Sequence, residues 1–95
     1  TITEGNAEGT IFSVAQELEK IYAQRQPQLR NRALPLQCDV RKGESIQQAV
    51  RVTLEHFSRI DCVIYNAGAI TWAPVADTPT RRFDLMHEVN MRGFY

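Results

Sequence analysis

Ninety-five residues leave room for one small domain at most, and a composition 43% hydrophobic and 23% charged is ordinary for a globular chain. Eleven basic residues balance eleven acidic ones, which removes the electrostatic case for nucleic acid or an anionic membrane as a partner. No apolar run approaches the length of a membrane span.

Thr1 to Glu8 are small and polar without periodicity and read as a loop. From Gly9 on, apolar residues fall at Ile11, Val14, Ala15, Leu18, Ile21 and Tyr22, which predicts an amphipathic helix. It should fade before Pro27, because the residue preceding a proline avoids the helical region. Gln26 to Arg32 is a polar connection. Ala33 to Cys38 reads as a short strand, and Pro35 assigns it to a sheet edge because proline cannot donate to a ladder.

Asp39 to Gly43 is a turn, followed by a second helix with Ile46, Ala49, Val50, Thr53 and Phe57 on one stripe. Gly43 and Ser45 are both candidate residues for its cap region. Ile60 to Tyr65 is the most apolar segment and does not alternate. It is expected to be a strand buried on both faces, as in a parallel sheet. Ala69 to Asp77 is a loop containing Trp72 and Pro74. Thr78-Pro79 should open a third helix, with Thr as the cap and Pro at the first helical position. Phe83, Met86, His87 and Asn90 fall on one of its faces. The order α-β-α-β-α, with helix-length crossovers, predicts an α/β layered domain with parallel strands.

Cys38 and Cys62 lie in apolar stretches and read as two buried free thiols of a reduced, intracellular protein, with a disulfide as the lesser alternative. Neither further cysteines nor spaced histidines complete a zinc pattern, so no metal site is expected. His56 and His87 are single histidines on helices, read as surface or half-buried, and Arg81-Arg82 as a solvated face. Trp72 is read with equal weight as a packing residue and as a flank of a substrate pocket.

The chemistry is expected at the strand ends, since open α/β sheets bind ligands beyond the carboxyl ends of their strands. One segment stops abruptly on Asn66-Ala67-Gly68. Glycine permits a tight turn and close approach of a ligand, alanine keeps the surface low, and Asn66 can tie neighbouring strand ends together. The other segment ends on Asp39, a carboxylate able to accept from an exocyclic amine. Both ends suit a bound nucleotide, although such residues are also common at plain strand-turn junctions.

The spacing of these residues resembles the short-chain dehydrogenases/reductases, which use NAD or NADP. Asp39-Val40 is similar to the Asp-Val that holds the adenine ring after the third strand of that family. Asn66-Ala67-Gly68 resembles the end of its Asn-Asn-Ala-Gly motif, with Tyr65 in place of the first Asn. Asn90, within Val89-Asn90-Met91-Arg92-Gly93, resembles the Asn of the catalytic tetrad. Gly9 to Phe12 and Asp77 to Met86 are similar to the hydroxysteroid dehydrogenase-like group within the family.

The resemblance implies a doubly wound, Rossmann-type sheet in the order 3-2-1-4-5, in which the two segments seen would be the third and fourth strands. Residues 1–95 would then be an internal part of one NAD(P)-binding domain. A Thr-Gly-x-x-x-Gly-x-Gly phosphate loop and the residue selecting NAD or NADP are expected before Thr1. A catalytic Ser and a Tyr-x-x-x-Lys pair are expected after Tyr95. The chain opens without Met and ends on Gly93-Phe94-Tyr95 with no helix stop signal, so both ends read as cut. Its two lysines, Lys20 and Lys42, have no Tyr four residues before them. Without its neighbouring strands the segment is expected not to pair its own, and alone to be inactive and partly disordered or aggregation-prone.

Under the resemblance Asp39 accepts from the adenine amine and Val40 covers the ring. Asn66, Ala67 and Gly68 shape the wall beside the riboses. The backbone carbonyl of Asn90, at a kink in its helix, holds a water of the proton relay. The implied activity is hydride transfer between a nicotinamide cofactor and a small-molecule carbonyl or secondary alcohol. The alternative is a non-catalytic nucleotide-binding or regulatory module of the same fold. An unrelated flavodoxin-like signalling domain would need acidic residues clustered at its first strand end, and no such cluster is seen. The resemblance further implies a parent that is a homo-oligomer in some members, and links to peroxisomes or mitochondria.

Overall fold

The computed structural model describes residues 9–28 and 32–95; the loop expected over Thr1–Glu8 and part of the Gln26–Arg32 connection lie outside the described residues. The chain divides into two units, Thr1–Gln37 and Cys38–Tyr95.

In the first unit α1 spans Ile11–Arg25. Gly9 precedes it at φ +75°, in the left-handed region open to glycine. Thr10 is extended and caps the helix: its Oγ1 accepts from the Ser13 N–H, and Ser13 Oγ accepts from the Thr10 N–H, each at 3.1 Å. This is a reciprocal capping box with Ser where Glu or Gln is usual. Arg25 occupies the last turn, where a cation suits the negative end of the helix, and the helix stops before Pro27 as expected. The apolar stripe borders the extended run from Arg32 to Leu36 across a shallow groove. A 2.6 Å hydrogen bond from the Ala33 N–H to Glu19 Oε1 pins that run to the helix.

The second unit opens with a turn in which the Lys42 N–H donates to the Asp39 carbonyl at 3.0 Å. From it α2 spans Gly43–Phe57, with Lys42 in the cap position and no side-chain cap bond. Gly43 is thus the first helical residue. Ser45 lies within the first turn, and its Oγ accepts from the Asp39 N–H at 2.9 Å, fastening the preceding turn to the helix. α2 ends at Ser58, a non-glycine residue held at φ 72°. Residues 60–70 carry neither helix nor strand, and a 3-10 turn covers Val75–Asp77. Then α3 spans Thr80–His87 and runs without a break into a π-helical turn, Glu88–Arg92. No helix among the described residues is long and apolar enough to cross a membrane.

All three helices lie where the periodicity put them. The parallel sheet is not confirmed: among the described residues neither Ala33–Cys38 nor Ile60–Tyr65 enters a ladder. A ladder needs a neighbouring strand to receive and supply its backbone hydrogen bonds, and none is present among the described residues. Burial fails with it. Val63 is 78% and Ile64 86% exposed, in place of the two-sided burial expected. Cys38 and Cys62 are free and exposed rather than buried, because the segments that carry them have no covering layer. Among the described residues none is buried.

Pro79 is also displaced by one position. It is the cap of α3, extended at ψ 143°, rather than its first residue. The Thr78 hydroxyl, expected as the cap, instead donates to the Pro74 carbonyl at 3.0 Å.

Among the described residues there are helices but no buried core to make unfolding cooperative. The far-ultraviolet dichroism of a polypeptide of residues 1–95 should decline gradually on heating, without a calorimetric peak. A sharp two-state peak from the monomer would contradict this.

Candidate functional site

Two of the expected site residues, Gly68 and Asn90, meet beyond the 60–65 segment. Asn90 Oδ1 accepts from the Ala69 N–H at 2.8 Å, and its Nδ2 donates to the Ala69 carbonyl at 2.9 Å. The amide thus engages one residue as a strand neighbour would, meeting both backbone groups at once. Its two ends differ, one donating and one accepting, so only one orientation serves. The pair spans 21 positions of sequence and seats the turn after Asn66-Ala67-Gly68 against the helix.

Asn66 was expected to tie strand ends together. Among the described residues its side chain forms no hydrogen bond, and Asn90 makes the tie instead. A Cβ at Gly68 would lie 3.7 Å from Asn90 Oδ1, an ordinary contact. Asn66, Ala67 and Gly68 are exposed and form an open, low surface.

Asn90 occupies the middle of the π-helical turn. The Gly93 N–H reaches five residues back to the Glu88 carbonyl at 2.8 Å, so the turn is wider than an α turn. The helix therefore departs from regular geometry where the resemblance implied a kink. Tyr65, Val40 and Gly93 meet beside it. The Tyr65 hydroxyl donates to the Val89 carbonyl. Its ring meets Phe94 edge-on, with centroids 5.5 Å apart. A Cβ on Gly93 would stand 2.5 Å from Tyr65 Oη and 2.8 Å from the Val40 carbonyl oxygen, closer than any side chain could sit. Glycine is required there by close approach alone, since its backbone is ordinary α. The sequence reading noted Tyr65 only as a departure from the family motif and missed Gly93 and Ala69. An aromatic residue in place of a small amide was the available signal.

Asp39 closes the other segment. Its Oδ1 accepts from the Arg41 N–H and Nε, each at 3.0 Å, and its Oδ2 from an Arg41 terminal nitrogen at 2.8 Å. These bonds, chiefly the one to the guanidinium, lower the Asp39 carboxyl to about 2, and Asp39 in turn raises Arg41. Both side chains remain partly exposed, so salt should weaken the pair. Sequence reasoning passed over Arg41, although an i, i+2 Asp-x-Arg within a turn was visible.

The remaining candidates lie apart from this cluster. Arg81 and Arg82 are exposed, as expected. His87 stacks on Phe83 at 6.3 Å and His56 meets Phe57 edge-on at 4.5 Å. Trp72 is 89% exposed and packs against little.

The family model described as enoyl-(acyl carrier protein) reductase matches residues 2–95. The chain belongs to the short-chain dehydrogenase/reductase family, as the motifs implied. Over 87 residues, 92% of the chain, it is 40% identical to hydroxysteroid dehydrogenase-like protein 2 of Homo sapiens. Over the same length it is 41% identical to that of Mus musculus and 37% to that of Danio rerio. The chain spans 19%, 16% and 19% of the lengths of these relatives. No solved structure matches it.

Because the folded value of Asp39 lies below 3.8, its pairing favours the folded turn above that pH and is lost as pH falls through about 2. A carbon-detected titration should place the Asp39 midpoint near about 2 at low salt. Arg41→Ala should return it toward 3.8. An unmoved midpoint in that variant would show that Arg41 is not the cause.

Proposed function

We propose that these residues are the middle part of the NAD(P)-binding Rossmann domain of an oxidoreductase acting on a carbonyl or secondary-alcohol substrate. The observation carrying the reading is the double hydrogen bond from Asn90 to Ala69. It joins the segment end at Asn66-Ala67-Gly68 to the turn bearing the tetrad-like Asn.

The residues present fit the adenosine part of such a cofactor. Asp39 stays ionised, and Oδ2 accepts one bond from Arg41, leaving a lone pair for an amine N–H. Val40 would lie over the ring. Asn66, Ala67 and Gly68 would offer backbone and a low surface to the riboses. When bound, the nicotinamide cofactor supplies the hydride donor or acceptor. Asn90 would hold a water at its backbone carbonyl, with its side chain already committed to Ala69. That water would pass protons toward a Tyr and Lys proposed to follow Tyr95.

In the sheet of such a domain the segments over Ala33–Cys38 and Ile60–Tyr65 would find neighbours. That would account for two apolar, unpaired segments in one chain. The competing reading is a nucleotide-binding module of the same fold without turnover.

The test is the full reading frame together with Asp39→Ala in its product. A phosphate loop upstream and Ser with Tyr-x-x-x-Lys downstream are expected. Removing one charge-assisted acceptor should raise KM for the cofactor about tenfold and leave kcat within about twofold. A frame without Tyr and Lys that still binds nucleotide would favour the non-catalytic module. A product that binds neither NAD nor NADP would overturn both.

A further inference from the structure

We infer that Tyr65 is a positioning residue for Asn90, acting through the π-helical turn; the catalytic side of this inference rests on the function proposed above. In an α-helix the carbonyl of Val89 would receive the N–H of residue 93. Here the Gly93 N–H passes to Glu88 instead, which takes that donor from the Val89 carbonyl. The Tyr65 hydroxyl supplies a donor in its place. A carbonyl released by a wide turn is thereby satisfied from outside the helix, which removes a reason for the turn to revert to α geometry.

Two further contacts hold the hydroxyl there. Phe94 packs edge-on against the Tyr65 ring, and Gly93 leaves the space the hydroxyl occupies. Asn90 is the residue next to Val89, and its amide reaches Ala69, four residues beyond Tyr65. The 65–69 segment therefore grips the turn at two adjacent residues, by a phenol at Val89 and by its own backbone at Asn90. Losing the first grip should loosen the second. Gly93 also lies against the Val40 carbonyl, so the residue proposed to cover the adenine ring bounds the same junction.

The experiment compares the full-length protein with its Tyr65→Phe and Gly93→Ala variants. Tyr65→Phe keeps the ring and its packing and removes only the donor. Gly93→Ala keeps the donor and takes its space. Amide hydrogen exchange at Ala69 and Gly93 is read first, since it requires no activity. Both variants should speed exchange at both amides by about tenfold, the worth of one lost hydrogen bond, and the double variant should do little more. In an active enzyme Tyr65→Phe should lower kcat by a similar factor, with cofactor KM within about twofold. Faster exchange at both amides in a protein without dehydrogenase activity would uphold the Tyr65 grip and refute the proposed function. Unchanged exchange at Ala69 in Tyr65→Phe, or an unchanged kcat in an active enzyme, would overturn the inference. If Gly93→Ala fails to fold, Tyr65→Phe alone decides.

Discussion

The organisation of the second unit depends on one side-chain amide. Asn90 closes a pair of hydrogen bonds on the backbone of Ala69, and without it the extended run after Tyr65 would lack its polar attachment to the last helix. Each such bond contributes only about 0.5–1.5 kcal/mol, and exposure keeps the value low. What the pair supplies is geometry. It fixes the segment after Asn66-Ala67-Gly68 relative to the helix that carries Asn90. The widened turn at Glu88–Arg92 carries the amide that makes this attachment, and the Tyr65 phenol donates to the carbonyl that widening releases.

The second constraint is what the chain does not bury. Its helices present apolar stripes, and its two extended segments carry valine, isoleucine and leucine, yet all of this remains partly or wholly accessible. Local signals therefore hold the elements in place. The Thr10–Ser13 capping box, the Ser45 hydroxyl on the Asp39 N–H and the Asp39–Arg41 fork each act within six residues of sequence. Asn90 and Tyr65 act across more than twenty. The arrangement suits a segment whose apolar faces are completed by further elements, the relation proposed for it within a Rossmann domain.

The legible part of the fold was the part written in short-range chemistry. Helical periodicity located α1, α2 and α3, and Pro27 marked where the first ends. The end of α3 escaped because a π turn leaves no periodic trace. Pro79 was placed one position late because the Thr78 hydroxyl has a competing acceptor at Pro74. The sheet was inferred from apolar runs that, among the described residues, enter no ladder and stay open to solvent. At the site, Asp39, Asn66 and Asn90 were visible as polar residues punctuating apolar segments. Ala69, which pairs with Asn90, and the Val89 carbonyl, which receives Tyr65, were not, because backbone groups have no letter in a sequence; Arg41 was legible beside Asp39 and was passed over. Among the described residues Asn90, not Asn66, makes the side-chain attachment at this segment. Both are asparagines near the same turn, and only geometry separates them.

The most direct test of the account is a crystal structure of the full-length protein with NAD or NADP bound. The expected result keeps both Asn90 amide bonds on Ala69, pairs the 33–38 and 60–65 segments into one parallel sheet, and brings the adenine amine to Asp39 Oδ2. A cofactor bound elsewhere, or an Asn90 turned away from Ala69 in the bound state, would contradict it.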